Sequence, residues 1–285
     1  MMTGSSFCIR FSDITIKFDP AAPVGLPDEF IPFLCEDDGN IDAEFKIAML
    51  RSPIVPQFPS FHDNRGTIVY TDGSQWLHIY PLHRPDDGCQ VACLLTPEDK
   101  NTLFYPAALW DHYTSVLHCI HLICIERILL KRDAFLLHSS VVRINDAAVL
   151  FTGPSGAGKS TQADLWKRHL CAEILNGDRC VIMKRGDRFY GGGSPLSGSS
   201  GIYEPGQAPI AGIFILNKSE KNRIRRAGAD AFIPLFSQTL INSWDSSFMD
   251  KITSLYQDLL VGVPIYHLDC RPDADAVELA YRTIF

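Results

Sequence analysis

Hydrophobic and polar residues alternate through the first hundred positions of the chain, then give way to longer apolar runs. Phe7-Cys8-Ile9-Arg10-Phe11 and Ile14-Thr15-Ile16-Lys17-Phe18 alternate, as do Glu44 to Met49. Period-two alternation is the signature of strands with one buried face. Gly66 to Tyr80 reads as a hairpin, two apolar runs joined by a turn around Asp72-Gly73. Prolines 20, 23, 27, 32, 53, 56 and 59 interrupt the region between these strands. From about Ala107 to Arg132 the pattern predicts one long helix joining two halves. Its apolar stretch from Val116 to Leu130 carries His118, His121, Glu126 and Arg127. That is too short and too charged to span a bilayer, so it reads as a buried helix. His118 and His121 have helical spacing for one metal, but two core histidines are the simpler reading.

Beyond Ala134 strands and helices alternate. Phe135 to Val142 reads as a strand, hairpinned through Asn145-Asp146 onto a second apolar run, Ala147 to Thr152. Residues Thr161 to Leu170 suit a helix, with Leu165, Trp166 and His169 near one face. Another strand starts at Glu173, and a glycine-rich loop covers Gly191 to Gly201. Ala211 to Leu216 and Pro264 to Cys270 read as further strands, and a helix from Asp273 closes the chain. The expected organisation is a β-rich domain over 1–106, a connecting helix over 107–132 and an α/β domain over 133–285.

Between the strand ending at Thr152 and the helix lies Gly153-Pro154-Ser155-Gly156-Ala157-Gly158-Lys159-Ser160-Thr161. Gly, four free positions, then Gly-Lys-Ser is the phosphate-binding P-loop pattern. Its glycines let the backbone aim several N–H groups at one anion, and the helix adds the positive end of its dipole. Lys159 would supply a charge to the β- and γ-phosphates, and the Ser160 hydroxyl would ligate Mg²⁺. Strand, glycine loop and helix are the setting the pattern requires, so a nucleotide polyphosphate with magnesium is the expected ligand.

The chain of 285 residues is 46% hydrophobic and 21% charged, an ordinary balance for a soluble globular protein. Its net charge of −7 argues against a nucleic-acid or anionic-membrane partner. Nine cysteines are scattered along the chain, many in apolar runs, which fits a reduced, cytoplasmic protein. Cys89 and Cys93 lack a second ligand pair, so zinc is not expected. The first residues, Met1 to Ser6, do not read as a signal peptide.

The run Leu196 to Ser200 looks like the signature of transporter ATPases, but no apolar strand ending Asp-Glu follows it. A guanylate kinase carries its P-loop at the N-terminus, not in mid-chain. The segments LLHSSVV (136–142), VLFTGPSGAGKST (149–161) and ILNGDR (174–179) instead resemble the C-terminal domain of HPr kinase/phosphorylase. That domain is itself similar to the nucleotide domain of phosphoenolpyruvate carboxykinase. The GSPLSGSSGIY loop and the C-terminal IYHLDCRPDADAVELAYRTI resemble the HPr-kinase-related proteins of peptide-modification clusters, which include the lasso-peptide kinases. The resemblance covers about Phe135 to Phe285 and not the first hundred residues. It implies an α/β, HPr-kinase/carboxykinase-type P-loop kinase domain behind the smaller β-rich domain.

The resemblance also implies roles. A histidine stands on the strand before the P-loop, here His138, and an acidic pair stands about twenty residues after the P-loop lysine, here Gly177-Asp178. His138, Asp178 and Lys159 are therefore the expected catalytic residues, with Ser160 and Asp178 on the metal. The pair has lost one acid, so Asp178 would have to ligate Mg²⁺ or orient a hydroxyl with His138 sharing the work. Lys218, Lys221, Arg223, Arg225 and Arg226 follow a buried strand and could meet phosphates or an acidic substrate, as could Arg271; a solvated basic turn is the plain alternative. Residues 197–201 could gate a substrate. The expected function is transfer of a phosphoryl group from Mg²⁺-ATP to a hydroxyl, foremost a serine of a peptide or protein. A small-molecule kinase and a nucleotide-binding regulator without catalysis remain the alternatives. The β-rich half would recognise the substrate or build a homo-oligomer.

Overall fold

The computed structural model describes residues 2–56, 60–62, 67–81, 90–107, 110, 120 and 123–285. The chain divides into two compact units, Met1–Ile128 and Leu129–Phe285. It is a mixed α/β protein with two large sheets.

The first unit contains strands β1 (Met2–Thr3), β2 (Phe7–Phe11), β3 (Ile14–Pro20), β4 (Val24–Gly25), β5 (Leu34–Cys35) and β6 (Ala43–Leu50). They are followed by β7 (Ser60–His62), β8 (Ile68–Thr71), β9 (Trp76–Pro81), β10 (Gln90–Leu95) and β11 (Lys100–Pro106). Nine of them form one sheet in the order β5-β2-β3-β6-β11-β10-β9-β8-β7. The alternation in the sequence explains its two faces. Ile16, Phe18, Phe45, Ile47 and Leu103 are buried, while Glu44, Lys46 and Lys100 between them are exposed. Phe18 stacks on Phe7 at 5.2 Å and on Phe45 at 5.8 Å between ring centroids. Hairpin β8–β9 pairs Ile68 with Ile79 and Thr71 with Trp76. Its turn is set by Asp72, whose carboxylate accepts from the Ser74 and Gln75 amides.

The run 107–132 is not one continuous helix. Residues 108–109, 111–119 and 121–122, with His118, Cys119 and His121, lie outside the described residues, as do Gly66 and Cys89. Ile123 and Cys124 form a turn, with Cys124 left-handed at φ 50°, and helix α1 spans only Ile125–Lys131. A non-glycine residue in that region breaks a helix without the glycine or proline that sequence reading relies on.

The second unit holds β12 (Ala134–Ile144), β13 (Ala147–Thr152), α2 (Lys159–Leu170), β14 (Glu173–Asn176), β15 (Arg179–Arg185), β16 (Arg188–Gly192) and β17 (Gln207–Lys218). It continues with β18 (Arg223–Arg226), α3 (Phe232–Phe236), α4 (Ser246–Gly262), β19 (Ile265–Cys270) and α5 (Ala274–Ile284). The start of the expected glycine-rich loop, Gly191 and Gly192, thus belongs to strand β16. Strands β12 and β17 are long and change partners along their length. The first half of β12 pairs with β15, and its second half lies between β13 and β14. β17 pairs with β16 at its start, and with β13 and β19, both parallel, further on. The middle of the parallel sheet, Ala148 to Phe151 of β13 and Ile213 to Leu216 of β17, is apolar and buried because helices cover both faces.

One face packs α2 and α5 through Ala163, Trp166, Val277 and Ala280 onto Phe151, Phe214 and Leu268. Trp166 meets Phe151 edge-on at 5.5 Å, and truncating so large a buried side chain costs roughly 3–5 kcal/mol. The other face packs α4 through Ile252, Tyr256 and Leu259 onto Phe135 and Ile213. His169 does not share the buried face of α2. It is exposed, and the inward side chains are Lys159, Gln162, Ala163, Leu165 and Trp166.

Candidate functional site

The nine residues from Gly153 to Thr161 leave the end of β13 and enter α2, at the C-terminal ends of the parallel strands, where open α/β sheets bind ligands. Gly153 has φ 143°, and a Cβ there would meet the Ala157 Cβ at 3.1 Å and the Leu216 carbonyl at 3.2 Å. Only glycine combines that backbone angle with that packing. The Ala157 amide donates to the Pro154 carbonyl at 3.1 Å, closing the loop. Helices α4 and α5 are capped by their own aspartates, Asp245 accepting from the Phe248 amide and Asp273 from the Ala276 amide. Helix α2 starts from Gly158 with no side-chain cap. Its first amides are left for an anion, which its dipole favours.

Lys159 is buried, and its Nζ donates to the Gly153 and Pro154 carbonyls at 3.0 and 3.3 Å. Burial lowers its pKa from the ordinary lysine value, and the Asp178 charge works the other way. Ser160 and Thr161, the next two residues, are exposed in the first turn of α2.

Asp178 lies in the turn between β14 and β15. His138 Nε2 stands 3.2 Å from Asp178 Oδ1, and Arg179 Nε stands 3.7 Å from its Oδ2. His138 and Asp178 are each 27% exposed, so the pair is reachable. The hydrogen bond from His138 holds the Asp178 carboxyl below the usual carboxylate range; burial opposes this, and the charges of His138, Arg179 and Lys159 reinforce it. The structure therefore brings His138, Asp178 and Lys159 into one electrostatic neighbourhood. Strand β12 holds the assembly. The Ser139 amide donates to the Asp178 carbonyl at 2.9 Å, the Thr152 hydroxyl to the His138 carbonyl at 3.0 Å, and the Ser140 hydroxyl to the Gly177 carbonyl at 3.3 Å. Sequence reading passed over Ser139, Ser140 and Thr152 as strand residues, since only the sheet register gives them a task.

Gly177 has no room for a side chain. A Cβ on Gly177 would overlap the Ser200 hydroxymethyl group. A Cβ on Gly198 would come within 2.5 Å of Asp178 Cγ. The loop 197–201 therefore packs directly over the Gly177–Asp178 turn.

A cavity of about 600 Å³ opens beside the 153–161 loop, lined by Ala157, Gly158, Thr161 and Gln162, and by Lys218, Ser219, Glu220, Cys270, Arg271 and Pro272. Of the expected basic cluster only Lys218 lines it, joined by Arg271. Arg223, Arg225 and Arg226 lie on β18 at the sheet edge, where Arg225 pairs with Asp230 at 2.7 Å and Arg226 covers the Tyr266 ring. Among the described residues no group of three or more His, Cys, Asp or Glu could hold a metal by itself. Mg²⁺ bound to a polyphosphate needs only one or two protein oxygens, and Ser160 and Asp178 are the residues that would hold it. Among the described residues no helix is long and apolar enough to cross a membrane.

No protein-family model and no curated protein matches the chain. Among solved structures it is similar to the Hpr(Ser) kinase/phosphatase from Coxiella burnetii, at 13% identity, over 52% of this chain and 94% of that one, with a TM-score of 0.33. A likeness at that score carries no argument, so the chemistry rests on the geometry of the residues themselves.

Proposed function

We propose that the protein transfers the γ-phosphoryl group of Mg²⁺-ATP to a hydroxyl, foremost a serine of a peptide or protein. The observation that carries this reading is the meeting of an uncapped P-loop helix and Lys159 with an accessible His138–Asp178 pair. The P-loop amides and Lys159 would grip the phosphates, and the cavity next to Gly158 would receive the sugar and base. Mg²⁺ would supply charge neutralisation, with Ser160 and Asp178 as its protein oxygens. Asp178, held in its ionised form by His138, would share with that histidine the work of orienting the acceptor hydroxyl and taking its proton. In a loose transition state such positioning provides most of the rate. The resemblance of segments 136–142, 149–161 and 174–179 to HPr kinase/phosphorylase favours a serine acceptor.

A second reading, a nucleotide-binding regulator without catalysis, is favoured by one observation: Ser200 fills the room of the absent acid at Gly177. Incubation with γ-labelled ATP, Mg²⁺ and candidate peptides, sugars and free serine, read by mass spectrometry, separates the two. Phosphorylated acceptor that disappears in Asp178→Asn supports the transferase. ATP binding with no transfer and no hydrolysis supports the regulator.

A further inference from the structure

We propose that Asn176 is a positioning residue that ties the Gly177–Asp178 turn to the 194–201 loop. That loop, rather than a second acid, then shapes the acceptor side of the site. The inference rests on the phosphotransferase reading above. Asn176 is 0% exposed, and both ends of its carboxamide are in use. Its Oδ1 accepts from the Asp178 amide at 2.8 Å and the Arg179 amide at 2.7 Å. Its Nδ2 donates to the Ser194 carbonyl at 2.9 Å and the Leu196 carbonyl at 3.3 Å. Two N–H groups at one end and two carbonyls at the other fix the orientation of the amide.

The loop is tied to the same turn a second time. The Ser194 hydroxyl donates to the Arg179 carbonyl at 2.7 Å and accepts from the Leu196 amide at 3.2 Å. The chain then turns through Gly198 to Ser200, and the Ser200 hydroxyl donates to the Ser197 carbonyl at 2.6 Å. This turn lays Ser200 over Gly177 and Gly198 against the Asp178 carboxylate. An acceptor reaching Asp178 meets this loop, and Asn176 sets the distance between the two. No other side chain accepts twice and donates twice at that spot. Aspartate keeps the acceptor end alone, and alanine keeps neither.

Peptide-resolved hydrogen exchange on the full chain tests the coupling without an acceptor. In Asn176→Asp, exchange over 194–203 accelerates about tenfold, the equivalent of roughly one lost buried hydrogen bond, while 177–179 stays protected. In Asn176→Ala both segments accelerate. Unchanged protection of 194–203 in Asn176→Asp overturns the proposal, as does loosening of the whole second unit in step. With Mg-ATP as donor and water as acceptor, Asn176→Ala lowers kcat about 10–100-fold, the scale of a displacement near 1 Å, and leaves KM for ATP within about twofold. Asn176→Asp falls between alanine and wild type. A wild-type kcat in Asn176→Ala, or a KM that rises as kcat falls, also overturns it. If Asn176→Ala does not fold, Asn176→Asp carries both measurements. A wild-type chain that neither binds nor hydrolyses Mg-ATP defeats the phosphotransferase reading instead, and the exchange pattern alone then decides the coupling.

Discussion

The P-loop and the Gly177–Asp178 turn both flank Ser139 of β12, one through Thr152 and the other through the Asp178 carbonyl. The P-loop is made by nine consecutive residues on the way from a strand to a helix. The turn is made by separate segments: His138 to Ser140 from β12, Asn176 to Arg179 itself, and 194–200 from beyond β16. A contiguous loop finds its shape from local backbone preferences. A turn built from distant segments exists only once the sheet has registered. The local half offers N–H groups and one cation, which in the proposed reaction would bind phosphate. The non-local half offers a carboxylate, a histidine and a wall, which in that reading would act on the acceptor.

That division can be broken most directly at Asp178. Asp178→Asn should lower the kcat of Mg-ATP turnover by about 10²–10⁴-fold and leave the metal-free binding of a fluorescent ATP analogue within about twofold. Weakened binding with unchanged kcat would reverse the assignment of the halves. Lys159→Ala should cost about 10²–10³-fold in kcat/KM and, unlike the first variant, weaken analogue binding as well.

Gly177→Ala tests the non-local packing. It should destabilise the chain by about 1–3 kcal/mol in urea denaturation because its Cβ overlaps Ser200. Adding Ser200→Gly should restore more than half of that, and an additive double mutant would show that the loop does not sit on Gly177.

The smallest effect sharpens the comparison by leaving both halves alone. The Asp230 carboxylate accepts from the Gly228 amide and pairs with Arg225, which holds its pKa down to about 2. Its folded value lies below the ordinary ~3.9, so the stability it adds is present above about pH 4 and fades as pH falls toward 2. Asp230→Asn should flatten that part of the acid denaturation curve and leave turnover at pH 7 unchanged.

Much of the second unit can be read along the chain. Apolar runs announce β13 and β17 and the two ends of β12, and β19 shows as a shorter alternating run. The Asn145-Asp146 turn announces a hairpin, and both residues indeed take positive φ, 49° and 57°. Other features give no local sign. Cys124 breaks the 107–132 run in a conformation its side chain does not advertise. His169 fits the helical spacing of a buried face, yet the sheet takes Gln162 and Ala163 on that side instead. Asn176 had one legible cue, since Asn-Gly-Asp is a turn sequence. That its amide reaches across to Ser194 and Leu196 follows only from the pairing of β15 with β16.

The nine-residue glycine loop, the strand before it and the helix behind it can be read from the chain alone. Those features depend on backbone freedom, hydrophobic periodicity and N–H direction, all local properties. The tertiary structure decided that His138 touches Asp178, that Ser200 occupies the room above Gly177, and that Lys218 and Arg271 line the cavity while the other arginines lie on a sheet edge. These contacts join residues far apart in the chain, 40 positions for His138 and Asp178 and 23 for Gly177 and Ser200, because sheet register, not chain order, sets which side chains meet.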